Sequence, residues 1–192
     1  MRAAVIERTT KETSIKCMLN IDGTGRGTID TGIGFFNHMM ELFAFHSGFE
    51  LTLTCKGDVD VDDHHSIEDC GIALGQALHA ALGDKRGIAR YGFMSLPMDE
   101  TLANVSLDIS GRPYLVLNCQ FHREKVGEMA TEMVEEFLRA LCVHGGLTLH
   151  VNVPYGKNDH HQIEAIFKGL GRALKAAVKI EGDALPSTKG ML

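Results

Sequence analysis

Six residues occur twice in this chain of 192: Asp63-His64-His65-Ser66-Ile67-Glu68 and Asp159-His160-His161-Gln162-Ile163-Glu164. Both copies read DHHxIE, and each opens an apolar stretch rich in Ala, Gly and Leu with helical character. Any fold of this chain must present the same two imidazoles and carboxylate at two helix starts. Successive helical residues turn by about 100°, so adjacent histidines diverge and do not readily share one ion. Glu68 and Glu164, three and four positions on, lie over the same face and can share an ion with either histidine. Each motif thus reaches toward two metals, and together they specify a dinuclear centre. Asp62, Asp63, Asn158 and Asp159 are N-cap residue types, which places the histidines in a first turn, at a mouth and not deep in a core. Imidazole and carboxylate donors without thiolate suit Mn, Fe, Co or Zn.

The repetition extends beyond the motifs. Leu74-Gly75-Gln76-Ala77-Leu78 parallels Leu170-Gly171-Arg172-Ala173-Leu174 in the stretches that follow them. The alternating segments GFELTLTCKGDV and GLTLHVNVPYG precede them, and the helix-like runs GFFNHMMELFAFH and ATEMVEEFLRALC lie ahead of those. Earlier still, Lys11-Glu12-Thr13 before IKCMLNIDG matches Asp99-Glu100-Thr101 before NVSLDISG, and Arg2 matches Arg90 in two further strands. The chain reads as two α+β halves, 1–87 and 88–192, each strand–strand–strand–helix–strand–helix, related by a pseudo-twofold and forming one catalytic unit. The second half includes a C-terminal tail. Cys70 to Gly83 holds no Asp, Glu, Lys or Arg. A surface helix normally has a polar face, so this one should be covered on more than one side, by other subunits as well as by the core.

Composition removes several functions. An apolar fraction of 44% supports a real core, and no run approaches a membrane span. Twenty-five acidic against nineteen basic residues give a net charge of −6, which argues against a nucleic-acid surface. The N-terminus has no apolar signal region. Cys17, Cys55, Cys70, Cys119 and Cys142 include no CxxC pair, so they read as reduced, mostly buried thiols of a cytoplasmic protein. The single histidines His46, His79, His122, His144 and His150 read as structural. His38, opening the helix before the first motif, and its counterpart Glu136 are further candidate ligands.

These residues resemble the imidazoleglycerol-phosphate dehydratase family. The likeness covers nearly the whole chain: RTTKET, LNIDGTGRGTIDTGIGFFNHMMELFAFHSGF, GDVDVDDHHSIED, ALGDKRGIARYG, PMDETLA, SLDISGRPYL, NDHHQIEAIFKGLGRAL and PSTKG. It implies a tandem β-β-β-α-β-α duplication of the ribosomal protein S5 domain 2-like kind, each half a sheet backed by helices. It also implies two Mn²⁺ per active site and an assembly of 24 subunits built from trimers, with sites where subunits meet. The implied metal ligands are His38, His64, His65, Glu68, Glu136, His160, His161 and Glu164. The implied reaction dehydrates D-erythro-imidazoleglycerol phosphate to imidazole-acetol phosphate, through a metal-bound imidazolate and a diazafulvene-like intermediate. Glu12 matches the family's proton shuttle, beside the ligands Glu68 and Glu164. His38 would also touch substrate, and Arg90, Arg112, Lys168, Ser187, Thr188 and Lys189 match phosphate-binding positions.

Two positions depart from the family pattern. Asn37 replaces Asp before the first ligand histidine, so a neutral amide would meet the His38 ring. Thr188 replaces Ser and keeps a hydroxyl. The fused phosphatase domain of some relatives is not expected in this chain. Without the resemblance, the residues also accommodate a dinuclear hydrolase of phosphoesters, or a protein whose metals only staple subunits together.

Overall fold

The computed structural model describes all 192 residues. The first half contains β1 (Ala3–Thr9), β2 (Thr13–Asn20), β3 (Gly27–Asp30), α1 (Gly34–Ser47), β4 (Glu50–Gly57) and α2 (His64–Leu82). The second contains β5 (Tyr91–Met98), β6 (Thr101–Asp108), β7 (Tyr114–Asn118), a small hairpin β8 (Lys125–Val126) and β9 (Met129–Ala130), α3 (Met133–Gly145), β10 (Thr148–Tyr155) and α4 (Asp159–Ala177). The β-β-β-α-β-α order therefore occurs twice. The hairpin and a bridge between Ile88 and Ile180 are additions that alternation did not reveal. Arg2 and Arg90 stand one residue ahead of their strands instead of within them.

The two sheets share one topology, β1-β2-β4-β3 and β5-β6-β10-β7. Within each, the first three neighbours are antiparallel, and the last pair, β4 with β3 or β10 with β7, is parallel. Parallel neighbours need a crossover, which α1 and α3 supply. Alternation sets the faces: Ile15, Cys17 and Leu19 of β2, and Ala103, Val105 and Leu107 of β6, point into the core.

The helices also pack across the two halves. α2 lies on the first sheet and packs against α3, while α4 lies on the second sheet and packs against α1. Phe36 of α1, Phe137 of α3 and Phe167 of α4 meet at the centre, with ring centroids 5.4 and 5.3 Å apart along the series. The apolar side chains of both halves form a single continuous core.

This exchange accounts for the charge-poor helix. Its covering faces, sheet and α3, both come from the same chain, so no second subunit is needed to bury it. Glycine sets how closely the helices cross. A Cβ on Gly75 would lie 2.9 Å from both the Gly145 nitrogen and the His144 Cβ, and one on Gly171 would lie 2.9 Å from the Phe43 carbonyl oxygen. Gly75→Ala is therefore expected to destabilise the protein by about 1–3 kcal/mol through overpacking, despite alanine's better helix propensity of about 1 kcal/mol. Denaturant melts check this, and a stabilised variant would refute it.

A candidate dinuclear metal site

Crossing helices bring the two motifs to their partners. Ligand-capable atoms of His64, Glu68 and Glu136 all lie within 4.8 Å of one another, and those of His38, His160 and Glu164 do the same. Each cluster joins a motif helix to the crossing helix of the other half: α2 with α3, and α4 with α1. In both motifs the glutamate turns to the histidine four residues back. His64 Nε2 lies 3.6 Å from Glu68 Oε2, and His160 Nε2 lies 3.1 Å from Glu164 Oε2. Burial pushes the Glu164 carboxyl up, but a bond from Lys168 and the nearby His160 together hold it below its ordinary value.

His65 and His161 stand outside both clusters, as the 100° divergence requires. A carboxylate holds the Nδ1 of each: Asp58 at 3.0 Å for His65, and Glu100 at 2.8 Å for His161. The Asp58 bond raises the His65 pKa. Each half-buried ring has its Nε2 3.8 Å from a further carboxylate, Glu12 for His65 and Asp99 for His161.

The duplicated glutamates have separate roles. Glu100 accepts from the backbone nitrogens of Lys157 and Asn158 as well as from His161. The His161 bond first, and then those two backbone bonds, pull its pKa down to about 2. Glu12 has no such anchors, and its side chain is 52% exposed. Its turn is fixed beneath it instead. Buried Asp69, next to Glu68, pairs with Arg8 at 2.8 Å and accepts from the Thr13 hydroxyl, so α2 and the Glu12 turn move as one. Asp58, Asp69 and Glu100 were not legible as site residues; the only signal was the matched Glu-Thr pair at 12–13 and 100–101.

The capping expectation holds in part. Asn158 caps α4 by accepting from the nitrogens of His160 and His161, and Asp62 accepts from that of His64. Asp63 and Asp159 do not cap. With that task filled one residue earlier, Asp63 accepts from the Ala130 nitrogen, and Asp159 from those of His122 and Arg123. The first residue of each motif thus clamps the segment that carries the hairpin and leads into α3. Asn37 also departs from expectation. Its Oδ1 accepts from the Thr31 nitrogen and hydroxyl, so the amide braces the loop before α1 and does not bond the His38 ring.

A cavity of about 230 Å³ is lined by Arg90, Arg112, Ser187, Thr188 and Lys189. Arg90 bonds the Asp108 carboxylate through Nε and Nη2 and the Pro186 carbonyl through Nη1. Three of its five N–H groups are used, leaving two for a ligand. The tail is held by this bond and by pairing of Gly87 with Glu181 and Ala184. Lys168 lies elsewhere, with its ammonium against Glu164 and the Met98 sulfur.

All five cysteines are free; four are buried and Cys119 is half-buried. No helix is long and apolar enough to cross a membrane.

The fold and the site define a duplicated α+β protein with paired imidazole–carboxylate clusters. A profile of the family described as imidazoleglycerol-phosphate dehydratase matches residues 31–174. The chain is 58% identical to the Clostridium botulinum imidazoleglycerol-phosphate dehydratase over 192 residues, spanning 100% of this chain and 98% of that protein. It is 56% identical to the histidine biosynthesis bifunctional protein HisB of Stenotrophomonas maltophilia, spanning 100% of this chain and 53% of that protein. The crystal structure of the Staphylococcus aureus dehydratase superposes with a TM-score of 0.84 at 46% identity, covering 93% of this chain and 99% of that one. The chain belongs to the imidazoleglycerol-phosphate dehydratase family, hydro-lyases of histidine biosynthesis. That membership sets aside the phosphoester hydrolase.

Proposed function

We propose that the chain dehydrates D-erythro-imidazoleglycerol phosphate to imidazole-acetol phosphate with two Mn²⁺ per active site. The observation that carries this reading is the pair of three-donor clusters, one at each motif. Their donors fit such an ion: imidazole nitrogens and carboxylate oxygens within reach of one another, with no thiolate among them. His64, Glu68 and Glu136 would hold one ion, and His38, His160 and Glu164 the other.

Three donors leave an octahedral ion incomplete. His65 and His161, with Nδ1 tied to a carboxylate and Nε2 outside both clusters, have the form of ligands offered to another chain. This supports a homo-oligomer with sites at subunit interfaces, here taken as 24 chains built from trimers, in the cytoplasm. When bound, the metals supply Lewis acidity that lowers the N–H pKa of the substrate imidazole.

The remaining work falls to the chain's own groups. Glu12, exposed and free of backbone bonds, takes the carbon-bound proton and returns one. Arg90, Arg112, Ser187, Thr188 and Lys189 bind the phosphate, with guanidiniums offering paired N–H groups. His38, a donor of the second cluster, would also touch substrate. Lys168, paired with Glu164 and apart from that cavity, would be released toward a phosphate when a metal takes up the Glu164 carboxylate. The test is direct: Mn-loaded protein should convert imidazoleglycerol phosphate to the enol-ketone product, read by absorbance. Free phosphate in its place, or neither product, would overturn the reading.

A further inference from the structure

Lys85 carries a charge that the fold leaves without a partner. It is only 4% exposed. Asp108, the carboxylate whose charge acts on it, is committed to Arg90 and Arg112. The Lys85 ammonium itself forms neither a salt bridge nor a side-chain hydrogen bond within the chain. Its backbone is also strained, with φ of 61° in the left-handed region that residues with a Cβ rarely adopt. The fully enclosed side-chain atoms without a partner are Arg8 Nε, His46 Nδ1 and Ser66 Oγ; the Lys85 ammonium, unpaired within the fold, keeps contact with solvent and is open to a ligand arriving from it.

Its location says what that is. Three pieces of chain build the cavity lined by Arg90, Arg112 and Lys189, and Lys85 lies where they join. The segment after it pairs with the tail through Gly87, Ala184 and Glu181, and runs on to Arg90. A Cβ on Gly111, in the turn that carries Arg112, would lie 3.5 Å from the Lys85 Nζ. Burial and then the nearby Arg90 push the Lys85 pKa down, as expected of an ammonium held among other cations.

We propose that Lys85 is a positioning cation beneath the phosphate cavity, its charge balanced only when a phosphoryl dianion occupies that cavity. Counting side chains alone, Lys85, Arg90, Arg112 and Lys189 against the carboxylate of Asp108 leave +3, which a dianion brings to +1; the main chain of Leu192 also lines this cavity. Lys85 does not touch the reacting atoms; it supports the Arg112 turn and adds to the field that draws the phosphate in. This rests on reading that cavity as the phosphate site.

The test compares the Mn-loaded parent with Lys85→Met and Lys85→Arg, using inorganic phosphate as probe and the substrate in steady-state assays. Lys85→Met should raise the phosphate inhibition constant and the KM together by about ten-fold or more, with a smaller change in kcat. Without phosphate it should melt close to the parent, since the fold makes no ion pair or hydrogen bond with the Lys85 ammonium to lose, and phosphate should raise its Tm less. Lys85→Arg keeps the charge and should retain most of the phosphate response, and it serves if the methionine variant does not fold. Unchanged phosphate inhibition and KM in Lys85→Met, beside a parent that responds to phosphate, would overturn this proposal alone. So would a lower Tm with phosphate inhibition intact, which marks a purely structural lysine. A parent blind to phosphate would overturn the cavity's assignment, and this proposal with it.

Discussion

Glu12→Gln is expected to lower kcat by about 10³-fold while leaving bound metal unchanged. The amide keeps the shape of the side chain but cannot accept and return a proton. Bound metal should survive because Glu12 lies outside both three-donor clusters and only approaches His65 Nε2 at 3.8 Å. The duplication supplies an internal control. Glu100 occupies the matching position but is held by two backbone nitrogens and His161. Glu100→Gln keeps one oxygen for the two backbone nitrogens but loses the second, which orients His161, so its effect should appear in metal retention and not as loss of a proton carrier. Measuring kcat and metal content for both variants separates the roles. A Glu12→Gln enzyme within ten-fold of the parent would rule out the shuttle.

The second large effect concerns the metals. Glu68→Gln is expected to lower bound Mn from about two per chain to about one, and kcat by about 10³-fold or more, because a Lewis-acid contribution of several kcal/mol is lost. The separation follows from the geometry: Glu68 belongs to one cluster, while His38, His160 and Glu164 form the other. pH should remove metal in the same direction. Ligand histidines must be neutral, so affinity should decline as pH falls through about 6.5. Asp58 raises the pKa of His65, so protons compete at His65 at higher pH than at an ordinary histidine, and the decline should begin there. Elemental analysis across pH 5 to 8 reads both. Equal metal content at the two ends would exclude histidine ligation.

How much of this was legible in the sequence depends on what periodicity encodes. Alternation and helical spacing mark which face of an element is apolar, and from them the twice-repeated element order could be read. The i to i+4 pairing of His64 with Glu68 and of His160 with Glu164 is likewise local geometry. Partner choice is not local. Nothing along α2 says that its small residues meet α3 of the other half, so subunit contacts were invoked to bury it. The same limit applies to Asp63 and Asp159. Asp is equally suited to capping a helix and to clamping a distant backbone, and only the positions of Ala130, His122 and Arg123 decide between them. Asn37 turned to Thr31 for the same reason. The β8–β9 hairpin has strands of two residues each, too short to leave a pattern.

The crossing of helices between halves bears on how such a chain could arise. A single half, folded alone, would hold a motif helix with no crossing helix to complete either cluster. Two identical half-length chains that exchanged helices would build both clusters at once by symmetry. Joining them end to end would preserve that swapped pair in one polypeptide and release each copy from having to match the other. The differences now seen between equivalent positions, a free Glu12 against an anchored Glu100 and an imidazole at 38 against a carboxylate at 136, are changes that a fused pair is free to accumulate and a symmetric pair of identical chains is not.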